Sequence, residues 1–435
     1  MENATFSRRG LLGLASAAGS IGLLGACSGG GQDSDPGSPS KEPITVADWS
    51  NSNTAVVDAA AAYTKETGIK VSFQAPVSYD DYTTRFRTVL SGKNPPDVVR
   101  CDDDFVAQFA AEGALADLTP MIKAQHFDAG TVTADLYDFT KSKDGQYALA
   151  IAIQPRLIYY NKTLFEKKGV PLPPGQWTDK GWKWSDFLAA ATKITDPAKK
   201  VWGCMILNDV GFEQTFSWNN GGEGTFSKDG KRFTLADQQG IEAMQWLGDL
   251  TNKYKVQPSW GAIQQTNSGE SMFVSQKLGM YFAGSGSVPY FQENADGFEW
   301  DIAPVPGQAR QNTAGAMIVY AIPAKSTKQA EAFQFLSYLV GDQAGKLYVK
   351  ENAFVPSNKA AAATVTGTTG KSPEHYGMLP DAVAANHARN STPATAEAAA
   401  TYQPPMQQIW TGEKTAQEVL TAVRGKVEDV LKAAP

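Results

Sequence analysis

The 435-residue chain is poor in the side chains that build most catalytic and metal centres. It has three cysteines, Cys27, Cys101 and Cys204, and three histidines, His126, His375 and His387. None of these form a spaced Cys/His cluster, and there is no His-Glu-x-x-His, Walker loop or Gly-x-Ser-x-Gly elbow. Three adjacent aspartates lack the alternating ligands and distal glutamate of a calcium loop. No metal or cofactor is expected. So few cysteines set no disulfide framework, although one Cys101–Cys204 bond is open in an oxidising compartment. Positive charge is also in deficit. Lys and Arg total 39 against 45 Asp and Glu, a net charge of -6, which excludes a basic footprint for nucleic acid. Internal repeats are missing, and beyond the N-terminus no apolar run reaches membrane-spanning length.

What is present begins with an export signal over 1–26. Arg8-Arg9 precede a run from Gly10 to Ala26 that carries no charge and is too short and glycine-rich for a membrane span. Ser7-Arg8-Arg9 with Leu11-Leu12 resembles the twin-arginine export signal of bacteria. Leu24-Gly25-Ala26-Cys27 resembles the bacterial lipobox, whose cysteine is lipidated and becomes the mature N-terminus. Residues 27–43, rich in Gly, Ser, Pro and Asp, read as a flexible tether. Several acyl chains on Cys27 would hold the protein stably on the extracellular face of the cytoplasmic membrane.

The remaining chain, about 400 residues, is long enough for two domains or one large one. From Ile44 it reads strand, helix, strand. "ITVADW" leads to a helix over 55–67 with Thr54 as cap and Gly68 as stop. "IKVSF" alternates like a strand, and a second helix leads through Pro95-Pro96 into "DVV". This alternation predicts an α/β fold with a mainly parallel sheet. Ligands gather at the carboxyl ends of strands in such sheets. Trp49 and the run Asp102-Asp103-Asp104 both fall at strand ends.

Several blocks, in order, resemble the extracellular solute-binding proteins of ATP-binding-cassette importers, in the sugar-binding group that includes maltose-binding protein. They are "LSGKNPPDVVR", "AAEGALADLTPMI", "LIYYNKTLFEKKGVPLPP", "GWKWSDFLAAATKITDP", "QKLGMYFAGSG" and "TAGAMIVYAIPAKSTKQAEAFQFLSYL". The resemblance runs from about Ile44 to the C-terminus. It implies a two-lobe periplasmic-binding-protein-like fold with a hinge and an interlobe ligand cleft. Lobe 1 would be 44–152 plus 303–348, and lobe 2 would be 153–302 plus 349–435. It further implies a monomer, not an enzyme, that delivers a carbohydrate, a di- or oligosaccharide, to membrane permease subunits.

A sugar presents hydroxyls at its rim and C–H patches on its faces, so its pocket should mix carboxylates and amides with aromatic rings. By the resemblance, Asp104 falls where the sugar binders place a ligand-contacting acid, within the triplet Asp102, Asp103 and Asp104. The competing reading is that Asp103 or Asp104 caps the helix beginning near Phe105. Trp49 ends the first strand, with Asn51 in the polar loop behind it. Gln154 stands where the family has a glutamate, and Arg156 follows two residues on. In the second lobe Trp218, Asn219 and Asn220, followed by two glycines, offer a stacking face and amides. Ser285 and Gly286 replace a family aromatic, which leaves stacking to Tyr290 or Trp260. Gly315 and Arg389 complete the candidates. Trp182 and Trp184, with Ser185 as cap, read as structural. Two other classes stay open: a binding protein for a peptide, polyamine or phosphorylated solute, and a surface glycoside hydrolase using paired carboxylates.

Overall fold

The computed structural model describes residues 41–49, 54–75, 77, 79–142, 145–177, 181–208, 211–265, 267–352, 354–367, 372–385 and 390–433. They belong to one compact unit, Gly37–Pro435. The expected export signal, Cys27 and most of the tether lie outside the described residues, as do Asn51 and Arg389. Asp103 is described by its backbone alone.

Two sheets organise the chain. The first has six strands in the order Val355–Pro356, Ala148–Gln154, Ala316–Ala321, Val98–Cys101, Ile44–Ala47 and Val71–Phe73. The second has four, in the order Trp300–Ala303, Arg156–Asn161, Leu278–Gly284 and Trp202–Met205. The opening strand-helix-strand reading is realised closely. The helix Thr54–Thr67 ends at Gly68, whose φ of 76° is left-handed and whose N–H donates to the Thr64 carbonyl, 2.9 Å away. Glycine reaches that conformation without a Cβ clash. Tyr63 of this helix and Phe333, Phe335 and Leu336 of the helix Gln329–Leu339 are buried in the core beside the first sheet. Each such side chain stabilises by roughly 1.5–3 kcal/mol.

The sheets are mixed rather than mainly parallel. Ile44–Ala47 pairs in parallel with both its neighbours, and Trp202–Met205 with Leu278–Gly284. The strands Ala148–Gln154, Ala316–Ala321 and Arg156–Asn161 pair antiparallel. The cause is connectivity. The chain passes between the sheets instead of returning through a helix on one face, so strands enter from the opposite end. One passage is at Pro155, between Ala148–Gln154 in one sheet and Arg156–Asn161 in the other. Proline has no N–H to give to either ladder, which suits this switch. A second passage is 304–315, after which the chain stays beside the first sheet through Val355–Pro356.

Two local expectations differ. Ser185 lies inside the helix Trp184–Ile194, whose N-cap is Lys183; the Asp186 carboxylate accepts from the Lys183 N–H at 3.0 Å. Asp102, not Asp103 or Asp104, is the capping acid of the triplet. A 3-10 turn, Asp103–Phe105, precedes the helix Val106–Ala111, so the cap moves one residue earlier. Trp182 and Trp184 are buried, and Trp184 stacks on Trp246 with ring centroids 4.5 Å apart. Cys101 and Cys204 are both buried and form no disulfide.

Candidate ligand-binding cleft

The strand ends of both sheets border one cleft of 1230 Å³. Trp49, Asp102, Asp104 and Gln154 face it from the first sheet, while Ala283, Gly284 and Asn208 face it from the second. Gathering at strand ends is expected of an open α/β sheet, because backbone and loop groups are freest there.

The first wall is held by a buried polar network. Asp48 accepts from the Tyr320 hydroxyl at 2.6 Å and lies 3.5 Å from Nη1 of Arg100. Burial, reinforced by the Asp48 carboxylate, pushes the Tyr320 hydroxyl far above its ordinary range, so it remains a donor. The Arg100 guanidinium lies 3.9 Å from the ring centre of Trp49, and Tyr82 meets the same indole edge-on at 5.4 Å. One face of Trp49 is therefore already covered by a cation, and the residue is only 9% exposed. It borders the cleft as a held edge rather than an open stacking platform. Beside it, the Asp102 carboxylate accepts from the Asp104 N–H at 3.0 Å, which fixes the turn that presents Asp104.

The second wall is more open. Asn208 donates to the Tyr281 hydroxyl at 3.0 Å, and that hydroxyl donates to Glu270 at 3.2 Å. Ser268 in turn donates to Asn208 at 2.9 Å. This chain presents an amide, a phenol and a carboxylate in one row. Trp260 and Tyr290 both border the cleft, and Tyr290 is 41% exposed. Either ring is accessible to the face of a flat ligand. Gly286 also borders the cleft, where an added Cβ would overlap Nε2 of Gln154. The glycine makes room for that amide. Ser285 sits behind it, buried, with its N–H donating to the Pro155 carbonyl at 2.9 Å.

Arg156 joins the passages between the sheets. Its Nη1 donates to the Ala314 carbonyl at 3.1 Å, and its own carbonyl accepts from Thr313 at 2.8 Å. It is 3% exposed yet borders the cleft. Gly315 lies in the same passage; its neighbours Ala316 and Met317 border the cleft and it does not.

Trp218, Asn219 and Asn220 do not border the cleft. They sit on and just after the helix Phe212–Asn219, not in an open turn. Trp218 is buried and donates to the Glu223 carbonyl at 3.1 Å. Asn219, fully buried, donates to the carbonyls of Pro306 and Asn312 and accepts from the Asn312 N–H, so it fastens the 304–315 passage. Asn220 donates to Glu242 at 2.9 Å.

The family model for bacterial extracellular solute-binding proteins matches residues 48–346. The chain belongs to that family. Among its relatives, a binding protein of Brucella abortus is 24% identical over 378 residues, covering 84% of this chain and 86% of the relative. The diacetylchitobiose-binding protein of Streptomyces coelicolor is 23% identical over 384 residues, with 83% and 84% covered. An ABC substrate-binding protein of Listeria monocytogenes, solved in complex with cycloalternan, matches with a TM-score of 0.82 at 24% identity. That match covers 90% of this chain and 100% of the other. The fold is therefore the two-lobe fold of the periplasmic binding proteins, with a sheet in each lobe. The family is one of solute-binding proteins rather than enzymes, so the hydrolase reading lapses.

Sequence reasoning missed one whole wall of this solute-binding protein. The helix Thr395–Trp410 contributes Tyr402, Gln403, Pro404, Gln407 and Trp410 to the cleft. Its signal was a proline pair beside glutamines and a tryptophan, "QPPMQQIW", which reads as a break rather than a helix interior. Asn208, Tyr281 and Glu270 were missed for another reason: the bond that brings Asn208 to Tyr281 spans 73 positions, and no local pattern marks it.

Proposed function

We propose that this solute-binding protein captures a carbohydrate between its lobes and hands it, intact, to the permease of an ABC importer. The observation that carries the reading is the lining of the cleft. Carboxylates and amides (Asp104, Gln154, Asn208, Glu270) alternate with aromatic rings (Trp260, Tyr290) around a single space. Hydroxyls suit the first set and C–H faces the second. A volume of 1230 Å³ is above the range of about 300–1,000 Å³ usual for small-molecule pockets, which favours a di- or oligosaccharide over a monosaccharide. The names of relatives that bind diacetylchitobiose and cycloalternan support the same class.

The lobes divide near the expected bounds, 44–152 plus 303–348 and 153–302 plus 349–435, with Ile153, Gln154 and Val355–Pro356 added to the sheet of the first and Ala303 to that of the second. Cys27 carries the lipid anchor, 27–43 is the tether, and the monomeric protein works on the extracellular face of the cytoplasmic membrane. Within the cleft Asp102, Asp104, Gln154, Arg156 and Gly286 serve the ligand from the positions described above.

The test is calorimetric titration of residues 28–435 with a panel of mono-, di- and trisaccharides, each checked afterwards for hydrolysis. Saturable binding near micromolar, about -8 kcal/mol, with intact sugar is the expected result. No binding across the panel, with binding of a peptide or polyamine instead, would reject the carbohydrate reading.

A further inference from the structure

The helix Thr395–Trp410 carries two consecutive prolines in its interior, Pro404 and Pro405. Proline has no N–H, so the carbonyls of Ala400 and Thr401 lose the donors that stand four residues on in any other helix. Residues four apart share one helix face. Ala400 and Pro404 are both exposed and both border the cleft, while Thr401 and Pro405 do not border it. The missing bond of the first pair therefore lies on the helix face that borders the cleft. Gln403 and Gln407, also on this wall and four residues apart, form the strip beside it.

We propose that the Ala400 carbonyl is a ligand-binding acceptor, released from the helix by Pro404 and offered to a hydroxyl or amide N–H of the saccharide. The inference rests on the carbohydrate reading and adds a specificity element to it. When a bound sugar excludes water from this wall, a carbonyl without a helical donor must be met by a ligand donor or left unsatisfied. A sugar lacking a donor at that end is then discriminated against. Gln403 and Gln407 add side-chain amides that both donate and accept.

Pro404→Ala restores the N–H and lets the helix reclaim the Ala400 carbonyl, whereas Pro405→Ala restores the bond to Thr401 away from the cleft. Pro404 borders the cleft, so Pro404→Ala also trims a lining side chain; Pro404→Val restores the same N–H while keeping the side-chain volume, and it must weaken binding as Pro404→Ala does. Each change adds a helical bond, so the variants fold. The saccharide panel is titrated into wild type and all three variants. The expected result is that a sugar bound by the wild type binds Pro404→Ala about three- to ten-fold more weakly, and Pro405→Ala within about two-fold. Unchanged affinity in Pro404→Ala or Pro404→Val, or an equal loss in Pro405→Ala, would overturn the inference while leaving the carbohydrate reading intact. A wild type that binds no sugar would overturn both.

Discussion

The guanidinium of Arg100 is shared between two neighbours: it lies 3.9 Å from the ring centre of Trp49, and its Nη1 lies 3.5 Å from Oδ1 of Asp48. Arg100 and Asp48 are both buried, so removing one leaves the other charge without compensation. Arg100→Met should lower unfolding stability by about 3–5 kcal/mol. In an Asp48→Asn background the same change should be much milder, and chemical denaturation of the double-mutant cycle measures the difference. Equal losses in both backgrounds would mean that the pair is not coupled.

Trp260 and Trp218 should behave in opposite ways. Trp260 borders the cleft, so Trp260→Ala should weaken sugar binding by about 1–3 kcal/mol with little effect on melting. Trp218 is buried away from it, so Trp218→Ala should cost about 3–5 kcal/mol of stability and leave the affinity of the folded protein unchanged. Calorimetry and thermal melting on the two variants separate a ligand contact from a core residue.

Gly286→Ala tests the positioning of Gln154. The added methyl would meet the far end of a flexible side chain, so the backbone need not move but the amide must. Stability should change by less than about 1 kcal/mol, within the range of a mutation that a rotamer can absorb. Sugar affinity should fall several-fold. Binding equal to wild type would show that Gln154 does not serve the ligand.

The fold was readable where its determinants are local. Glycine at 68, alternation over 69–73 and Pro155 between two apolar runs each mark a boundary by backbone chemistry alone. The candidate site was readable at its strand ends, where Trp49, Asp102, Asp104, Gln154, Arg156 and Gly286 border the cleft, and at the rings of Trp260 and Tyr290. "WNNGG" has the composition of an open polar turn, yet Asn219 spends its amide on backbone 87 and 93 positions away. An asparagine facing a ligand and one fastening a distant crossing have the same local sequence. The Pro404–Pro405 helix was hidden because its stability comes from packing Tyr402, Met406, Ile409 and Trp410, not from propensity.

Alkaline pH should unfold the protein through its buried tyrosines. Burial pushes Tyr63 up to about 12 from an ordinary value of 10.0. Tyr82, Tyr160, Tyr320, Tyr348 and Tyr376 rise chiefly for the same reason. Since the folded values are raised, the stabilisation is complete below the unfolded value near 10 and is lost as pH climbs through about 12 and beyond. Phenolate absorbance should rise in two stages, exposed tyrosines first and the buried set together with loss of circular dichroism. A single stage near 10 with the fold intact would contradict the assignment.

The most direct test of the account is amide hydrogen exchange on residues 28–435, with and without a saturating amount of the tightest-binding saccharide of the panel. Protection should increase at the strand ends and turns that border the cleft, over 98–105, 281–290 and 399–410, and stay unchanged in the helix Ala416–Ala433, which contributes nothing to the lining. Protection confined to segments outside the cleft, at full occupancy, would contradict a carbohydrate held between the two lobes.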